Sequence, residues 1–424
     1  MFKSKRCAAL LIATLSVGLT LNHGGQAVSA APSKPAKPPV VKNVIMLVGD
    51  GMGTAQRNAI RLATKGIDGE LEMDSMPYSG LIHTNSADPK SFITDSAAAA
   101  SAIATGVKTY NGAISVDLQG KPVKTILEQA KKAGKATGLV TTAQVTDATP
   151  AAFAAHTANR SAQSDIAKQY IEKTKVDVIL GGGEDYWYPA GHPGYYPDTA
   201  EDAEEGSKGT QGNLVERAKK LGYTYVRTAD ELKRAKGRKL LGLFANEEMF
   251  QKRSEGEGKY NPVVSLPDMT KKAIDVLSKN KKGFFLVVEE EAIDEMSHDN
   301  NGSLMIKAGQ QFDQAVAVAK RYAKHHPDTL VLVLADHESG GLTIETPGDA
   351  DESEDSNTLS DENGPFAVAH SKQTFTLNWT TTGHTAAGVP LTAMGPGAKR
   401  FAGVYENTHI HDILETLLFG KRER

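Results

Sequence analysis

Several stretches of this chain are mostly apolar and rich in β-branched residues. Val40–Val48 (VVKNVIMLV), Lys135–Thr142 (KATGLVTT), Val176–Leu180, Tyr223–Val226, Leu240–Phe244, Phe284–Val288 (FFLVV), Thr329–Leu334 (TLVLVL) and Val389–Met394 lack a strict alternation of apolar and polar positions. That is the pattern of strands buried on both faces. A further strand is expected near Gly80–His83. Segments with helical spacing separate these runs: Thr54–Lys65, Thr125–Ala133, Ala162–Thr174, Leu214–Leu221, Met269–Lys279, Ser303–His325 and His411–Phe419. Repeated alternation of helix and strand predicts an α/β fold with a mostly parallel sheet and helices on both faces. Residues 40–424 read as one domain with surface excursions near 184–212 and 345–376. The first is rich in Tyr, Gly, Pro and acids, and the acidic part of the second, 345–363, has no period.

The N-terminus departs from this pattern. Lys3, Lys5 and Arg6 precede an apolar run, Ala8–Leu21, and small residues follow at Ala27–Ala30. The run is too short to span a bilayer, and the three parts together read as an export signal over residues 1–30. Residues 31–39 (APSKPAKPP) then read as an extended linker. The expected location is therefore secreted, or on the cell-wall or periplasmic side, with no membrane span in the mature chain. The full chain carries a formal charge of −3, and removal of the signal leaves about −6. Neither value supports nucleic-acid binding. The single cysteine, Cys7, lies within the signal, so the mature chain has no disulfide and no thiol chemistry.

Chemistry concentrates where the apolar runs end. Asp50 follows the first run, and Asp147 and Thr149 come shortly after the second. Glu289 follows FFLVV, with Asp294 and His298 close behind, and Asp336-His337 follows TLVLVLA. Any one of these could be a turn residue. Together they mark the carboxyl edge of one sheet, where sites on such folds collect. Asp294 and His298 are four apart and share a helix face, as chelation requires. His384 stands on a Gly-flanked turn before the last strand. Histidines with an aspartate suit zinc, and Asp50 with Asp336 and His337 makes a second such set. Glu289, Thr149 and Asp50 offer only oxygen, which suits magnesium.

The remaining candidate is Ser96. Thr94-Asp95-Ser96 precedes an Ala-rich run closed by Gly106, so Ser96 falls at a helix N-terminus that favours negative charge. An ordinary cap explains that position, and a nucleophile needs an activating partner. Bound zinc would supply one. Arg160, in HTANR, has the planar fork that suits two phosphate oxygens.

These residues resemble the alkaline phosphatase family of bacterial secreted type. The resemblance rests on VGDGMG (48–53), TDSAAAASAIATGVKTYNGAISVD (94–117), TDATPAAFAAH (146–156), the block 289–298, ADHESGGL (335–342) and TTGHT (381–385), all in order. Residues 184–262 carry no matching motif. The resemblance implies a three-layer αβα sandwich and hydrolysis of small phosphate monoesters through a phosphoserine on Ser96, with Arg160 binding phosphate. It implies one zinc on Asp294, His298 and His384, and a second on Asp50, Asp336 and His337 with Ser96 facing it. It implies magnesium on Asp50, Thr149 and Glu289, with Asp147 reaching it through water. Both monomer and homodimer remain open.

Two departures stand out. Glu289-Glu290-Glu291 is a triple acid where relatives have small residues after the first, and Glu295 follows Asp294 where relatives carry Lys, Trp or His. An acid at 295 is expected to weaken phosphate binding or speed its release. A phosphodiesterase of the same superfamily is the nearest alternative activity. A sulfatase lacks its Cys/Ser-x-Pro-x-Arg context here. A non-catalytic metal- or phosphate-binding protein would be marked by a missing nucleophile or ligand, and none is missing.

Overall fold

The computed structural model describes residues 41–196, 206–347 and 362–420. The expected signal (1–30) and linker (31–39) lie outside the described residues, as do 197–205 of the first excursion and 348–361 of the acidic stretch. The strands of the central sheet begin with β1 (Asn43–Gly49), β2 (Tyr78–His83), β3 (Ala136–Gln144), β4 (Val178–Gly182) and β5 (Thr224–Val226). They continue with β6 (Leu240–Leu243), β7 (Phe284–Glu290) and β8 (Thr329–Leu334). Two short strands, β9 (Glu338–Ser339) and β10 (Thr343–Glu345), precede β11 (Asn363–Ala367), β12 (Thr374–Asn378) and β13 (His384–Thr385), and β14 (Val389–Met394) and β15 (Gly403–Glu406) rejoin the sheet.

The central sheet has the order β15-β2-β14-β8-β1-β7-β3-β4-β6-β5. β1 pairs in parallel with β7 and β8, and β3 in parallel with β7 and β4. β14 alone runs antiparallel to its neighbours, β2 and β8. Every residue of β1, β3, β7 and β8 is buried, which explains why their sequences do not alternate.

The helices are α1 (Thr54–Lys65), α2 (Ser96–Thr105), α3 (Ile126–Lys132), α4 (Ala148–Ala154), α5 (Gln163–Gln169) and α6 (Leu214–Lys220). They continue as α7 (Ala229–Arg234), α8 (Leu266–Leu277), α9 (Ala292–His298), α10 (Gly302–His325) and α11 (Thr408–Phe419). One group packs around α10 with α1, α8 and α9, and another gathers α2, α3, α4 and α11. With the doubly buried sheet these make the α/β, three-layer αβα sandwich. All ten residues of α2 are buried, and its alanines let it approach the equally small-residued α4. No described helix is long and apolar enough to cross a membrane.

The structure adds elements that hydrophobic pattern did not predict. Residues 148–154 form α4 instead of continuing the loop after β3. Pro150 lies in its first turn, where a missing N–H breaks no helical bond. The expected helix 162–174 finishes in a π-turn over Tyr170–Thr174. Within 345–376, β11 and β12 form an antiparallel sheet with β10. In the first excursion, Trp187 is fully buried and anchors the described part. The two-residue ladder β9–β13 matters most for function, because it pairs His384 with Ser339 and Thr385 with Glu338.

Candidate active site

Ser96 is the first residue of α2, and it is not the cap. Asp95 caps the helix: its Oδ1 accepts from the Ala98 N–H at 2.9 Å, and its Oδ2 accepts from Gly112 N–H at 2.8 Å. The Ser96 hydroxyl is thereby free to face His337, with Oγ 3.1 Å from Nε2. The same Nε2 lies 3.3 Å from Asp50 Oδ1 and 3.1 Å from Asp336 Oδ2. Asp50 and His337 come from the ends of β1 and β8, adjacent strands whose parallel register brings their termini level. Gly51 turns the chain at φ +65°, and a Cβ there would stand 2.5 Å from Asp294 Oδ1. Its N–H donates to Asp336 Oδ1 at 3.2 Å.

A second group lies beside the first. α9 places Asp294 and His298 one turn apart, with Oδ2 to Nε2 at 3.1 Å. His384 Nε2 is 3.7 Å from Asp294 Oδ1 and 3.0 Å from His298 Nε2. His384 reaches this edge because β14 is antiparallel, so the chain entering β14 lies where the parallel strands end. Glu338 secures the entry: its Oε1 accepts from Gln56 Nε2 at 2.9 Å, and its Oε2 accepts from the Thr385 hydroxyl. The His298 Nδ1 is 2.5 Å from the Thr382 carbonyl and that of His384 is 2.8 Å from the Thr94 carbonyl. Carbonyls only accept, so both Nδ1 atoms donate and both Nε2 atoms are left to face Asp294. Two neutral Nε2 lone pairs 3.0 Å apart repel unless a cation or proton lies between them.

Asp294, His337 and His384 form one group able to hold a metal ion, and Asp50, Asp336 and His337 form another. His337 therefore stands between the two, and its ring stacks on His384 with centroids 3.6 Å apart. Ser339, which sequence reasoning missed, joins them. Its hydroxyl donates to Asp294 Oδ1 and lies 3.4 Å from His337 Nδ1. The available signal was its position two residues beyond His337.

The oxygens expected to form the third set are also buried. Asp50 Oδ1, Thr149 Oγ1, Glu289 Oε1 and Asp336 Oδ2 are buried without a hydrogen-bond partner. A bound cation would satisfy these oxygens together. Electrostatics agree. Burial and repulsion from Asp336, Asp294 and Glu289 push the Asp50 carboxyl well up. Burial likewise raises Glu289 to about 8 and Asp336 to about 6. The Asp294 bond lifts His298 to about 9. His337 is driven well down by burial and by the neighbouring His384, so its ring is neutral. The negative charge gathered here lacks enough positive charge among the protein's own groups.

Asp147 faces Arg160: both of its oxygens lie 3.0 Å from Nη2, and Asp95 Oδ2 lies 3.4 Å from Nη1. The guanidinium is thus fixed between two acids, and Asp147 chiefly raises its pKa. The departures at 290 and 295 also find explanations. Glu290 accepts from Thr142 Oγ1 at 2.7 Å and from the Tyr260 hydroxyl at 2.5 Å, and burial lifts it to about 7. Glu291 is buried beside it. Glu295 is not the unopposed acid expected from sequence, since Lys252 Nζ lies 2.6 Å from its Oε2.

The family model described as alkaline phosphatase matches residues 41–370. The chain belongs to the alkaline phosphatase family. It is a metal-dependent phosphomonoesterase of that family. Alkaline phosphatase 4 of Bacillus subtilis is 34% identical, with 98% of this chain and 97% of that protein aligned. The streptomycin-6-phosphate phosphatase of Streptomyces griseus is also 34% identical, over 90% of this chain and 91% of the relative. Among solved structures, the alkaline phosphatase of the Antarctic bacterium TAB5 is similar at 30% identity and a TM-score of 0.72, covering 91% of this chain and all of that one.

Proposed function

We propose that this chain is an exported phosphatase that releases inorganic phosphate through a phosphoserine on Ser96, serving phosphate scavenging. One zinc would be held by Asp294, His298 and His384, the other by Asp50, Asp336 and His337, and magnesium by Asp50, Thr149 and Glu289, with Asp147 one water away. The observation that carries this reading is the Ser96 hydroxyl 3.1 Å from His337 Nε2, inside the ring that Asp50 and Asp336 complete. Donor separations of 3.0–3.7 Å within these sets support zinc, because ligands at about 2.0–2.1 Å in a tetrahedron stand roughly 3.3 Å apart. The all-oxygen orphans support magnesium. When bound, the zinc ions lower the pKa of the hydroxyl and of water and polarise phosphoryl oxygens, and magnesium adds positive charge.

The protein's own groups do the rest. Asp95 takes the capping role, so Ser96 Oγ stays uncommitted and can attack phosphorus. The O–P bond to the alcohol breaks as the Ser96 O–P bond forms. The proton released from the Ser96 hydroxyl is balanced by the one the departing alkoxide takes up to leave as the alcohol. Arg160, held by Asp95 and Asp147, offers its remaining N–H groups to the phosphoryl oxygens, and the N-terminus of α2 favours their charge. Water then displaces Ser96 from phosphorus and gives up the proton that the serine regains. Export is supported by the basic, apolar and small-residue order of residues 1–30. The test is phosphate release from an aryl phosphate at alkaline pH. Activity is expected to vanish on chelation, to return with zinc plus magnesium, and to return little with magnesium alone. Full activity in a metal-stripped protein would end the proposal.

A further inference from the structure

A crevice of about 440 Å³ opens within residues 244–263, with Tyr196 also at its wall, in the part of the chain without family motifs. This wall folds over the ends of β3, β4 and β6. Phe244 N–H donates to the Gly181 carbonyl, Gly183 N–H to Glu247, and Met249 N–H to Thr142, at 2.7–2.9 Å. Two contacts tie it to the catalytic edge. Gln144 Nε2 donates to Glu248 Oε1 at 3.0 Å, and the Gln144 carbonyl accepts from the Asp147 N–H at 2.9 Å. Lys252 Nζ meets Glu295, the residue after Asp294, at 2.6 Å.

Of the four acids in this wall only Glu247 and Glu248 line the crevice, and both are accounted for. Glu247 Oε1 lies 3.0 Å from Lys208 Nζ. Glu248 is bonded to Gln144, and burial raises its carboxyl. Glu295 is matched by Lys252. Lys252, Arg253 and Lys259 are exposed and line the crevice. An ammonium has three donors, and the Glu295 contact uses one of them. Lys252 is therefore held at the mouth of the crevice with hydrogen-bonding capacity to spare.

We propose that this crevice receives the alcohol part of the ester when that part carries an anionic group of its own, with Lys252 the residue that selects for it. Glu295 is its tether. The assignment rests on the phosphatase reading of the Ser96 site, since the ester's phosphate must lie there. The class of substrate is a phosphomonoester bearing a carboxylate or a second phosphate several bonds away.

The experiment compares kcat/KM for three six-carbon esters of similar size: 6-phosphogluconate (anionic), glucitol 6-phosphate (neutral) and glucosamine 6-phosphate (cationic). At low ionic strength the expected order is anionic, neutral, cationic, with about fivefold or more between the first two and a smaller gap in high salt. In Lys252→Ala/Lys259→Ala the gap should shrink to within about twofold, chiefly through KM, and Lys252→Arg should keep it. An order that the double variant leaves intact, or a preference for the cationic ester, overturns the inference. If the wild type hydrolyses none of the three and no aryl phosphate either, the reading of the Ser96 site is what has failed. Equal hydrolysis of all three leaves that reading standing and removes this one.

Discussion

The middle of the sheet edge and its outer flank handle charge in opposite ways. At the ends of β1, β7 and β8, Asp50, Glu289, Asp294 and Asp336 are buried together, and several of their oxygens have no partner. Around the crevice formed by residues 244–263, the lining acids Glu247 and Glu248 are matched by a lysine and an amide, and the exposed charges that line it are positive. An unbalanced buried cluster must take up protons or cations, because repulsion in a low dielectric is expensive to maintain. A balanced and hydrated wall needs none, and its weaker, salt-screened field can only discriminate among substrates. Metal dependence and selectivity thus belong to different stretches of chain.

The sharpest way to break this contrast is to disturb the middle. Asp294→Asn removes the charge shared by His298, His384 and Ser339. The variant is expected to bind about one metal fewer and to lose at least roughly a hundredfold in kcat/KM, with metal analysis of the purified protein as the check. Normal metal content in this variant would mean that Asp294 is not a ligand. Ser339→Ala should act in the same direction but less strongly. Losing the hydroxyl that joins Asp294 to His337 is expected to weaken metal binding about 10–100-fold, read by competition with a coloured chelator. Lys252→Ala, on the flank, should retain the wild-type metal content. Loss of metal there would erase the distinction between the two regions.

The smallest effect is expected at His156, below the loop that carries Arg160. Its Nε2 lies 3.0 Å from Glu128 Oε1 and its Nδ1 2.8 Å from the Ser115 carbonyl. Burial opposes its charge, and these bonds more than offset it, so its pKa lies above the ordinary 6.5. Burial also opposes the charge on Glu128, but its bonds to His156 and Thr125 carry its pKa below 4.5. The ion pair therefore stabilises fully between about pH 4.5 and 6.5. Its contribution fades as pH rises through the elevated histidine value, and as pH falls through the depressed glutamate one. Melting curves of His156→Gln should lack this pH-dependent part, of about 1 kcal/mol or less. An unchanged pH profile would remove the pair from the description.

The central strands were legible because each is a buried apolar run ending in an acid, and parallel register then aligns those ends without further information. Asp50, Glu289, Asp336 and His337 follow from that logic. His384 does not, since nothing in Val389–Met394 reveals that β14 runs antiparallel, and only that direction delivers the preceding turn to the same edge. Ser339 escaped notice because its role depends on the two-residue ladder with His384, which is too short to leave a pattern. Pro150 suggested a loop where α4 begins, because a proline is compatible with either. Lys252 and Glu295 are 43 residues apart in segments with no shared period, so sequence showed an isolated acid where the fold has a pair. At Ser96, hydrophobic pattern located the helix start but could not decide among Thr94, Asp95 and Ser96 as cap, and the choice of Asp95 is what frees the nucleophile.

The most direct measurement is to quench the metal-loaded enzyme with acid during turnover and locate any covalent phosphate by peptide mass spectrometry. Phosphate on Ser96, absent in Ser96→Ala together with turnover while bound metal is retained, is the predicted result. A Ser96→Ala variant that still turns over at the wild-type rate, or phosphate found on a different residue, would contradict it.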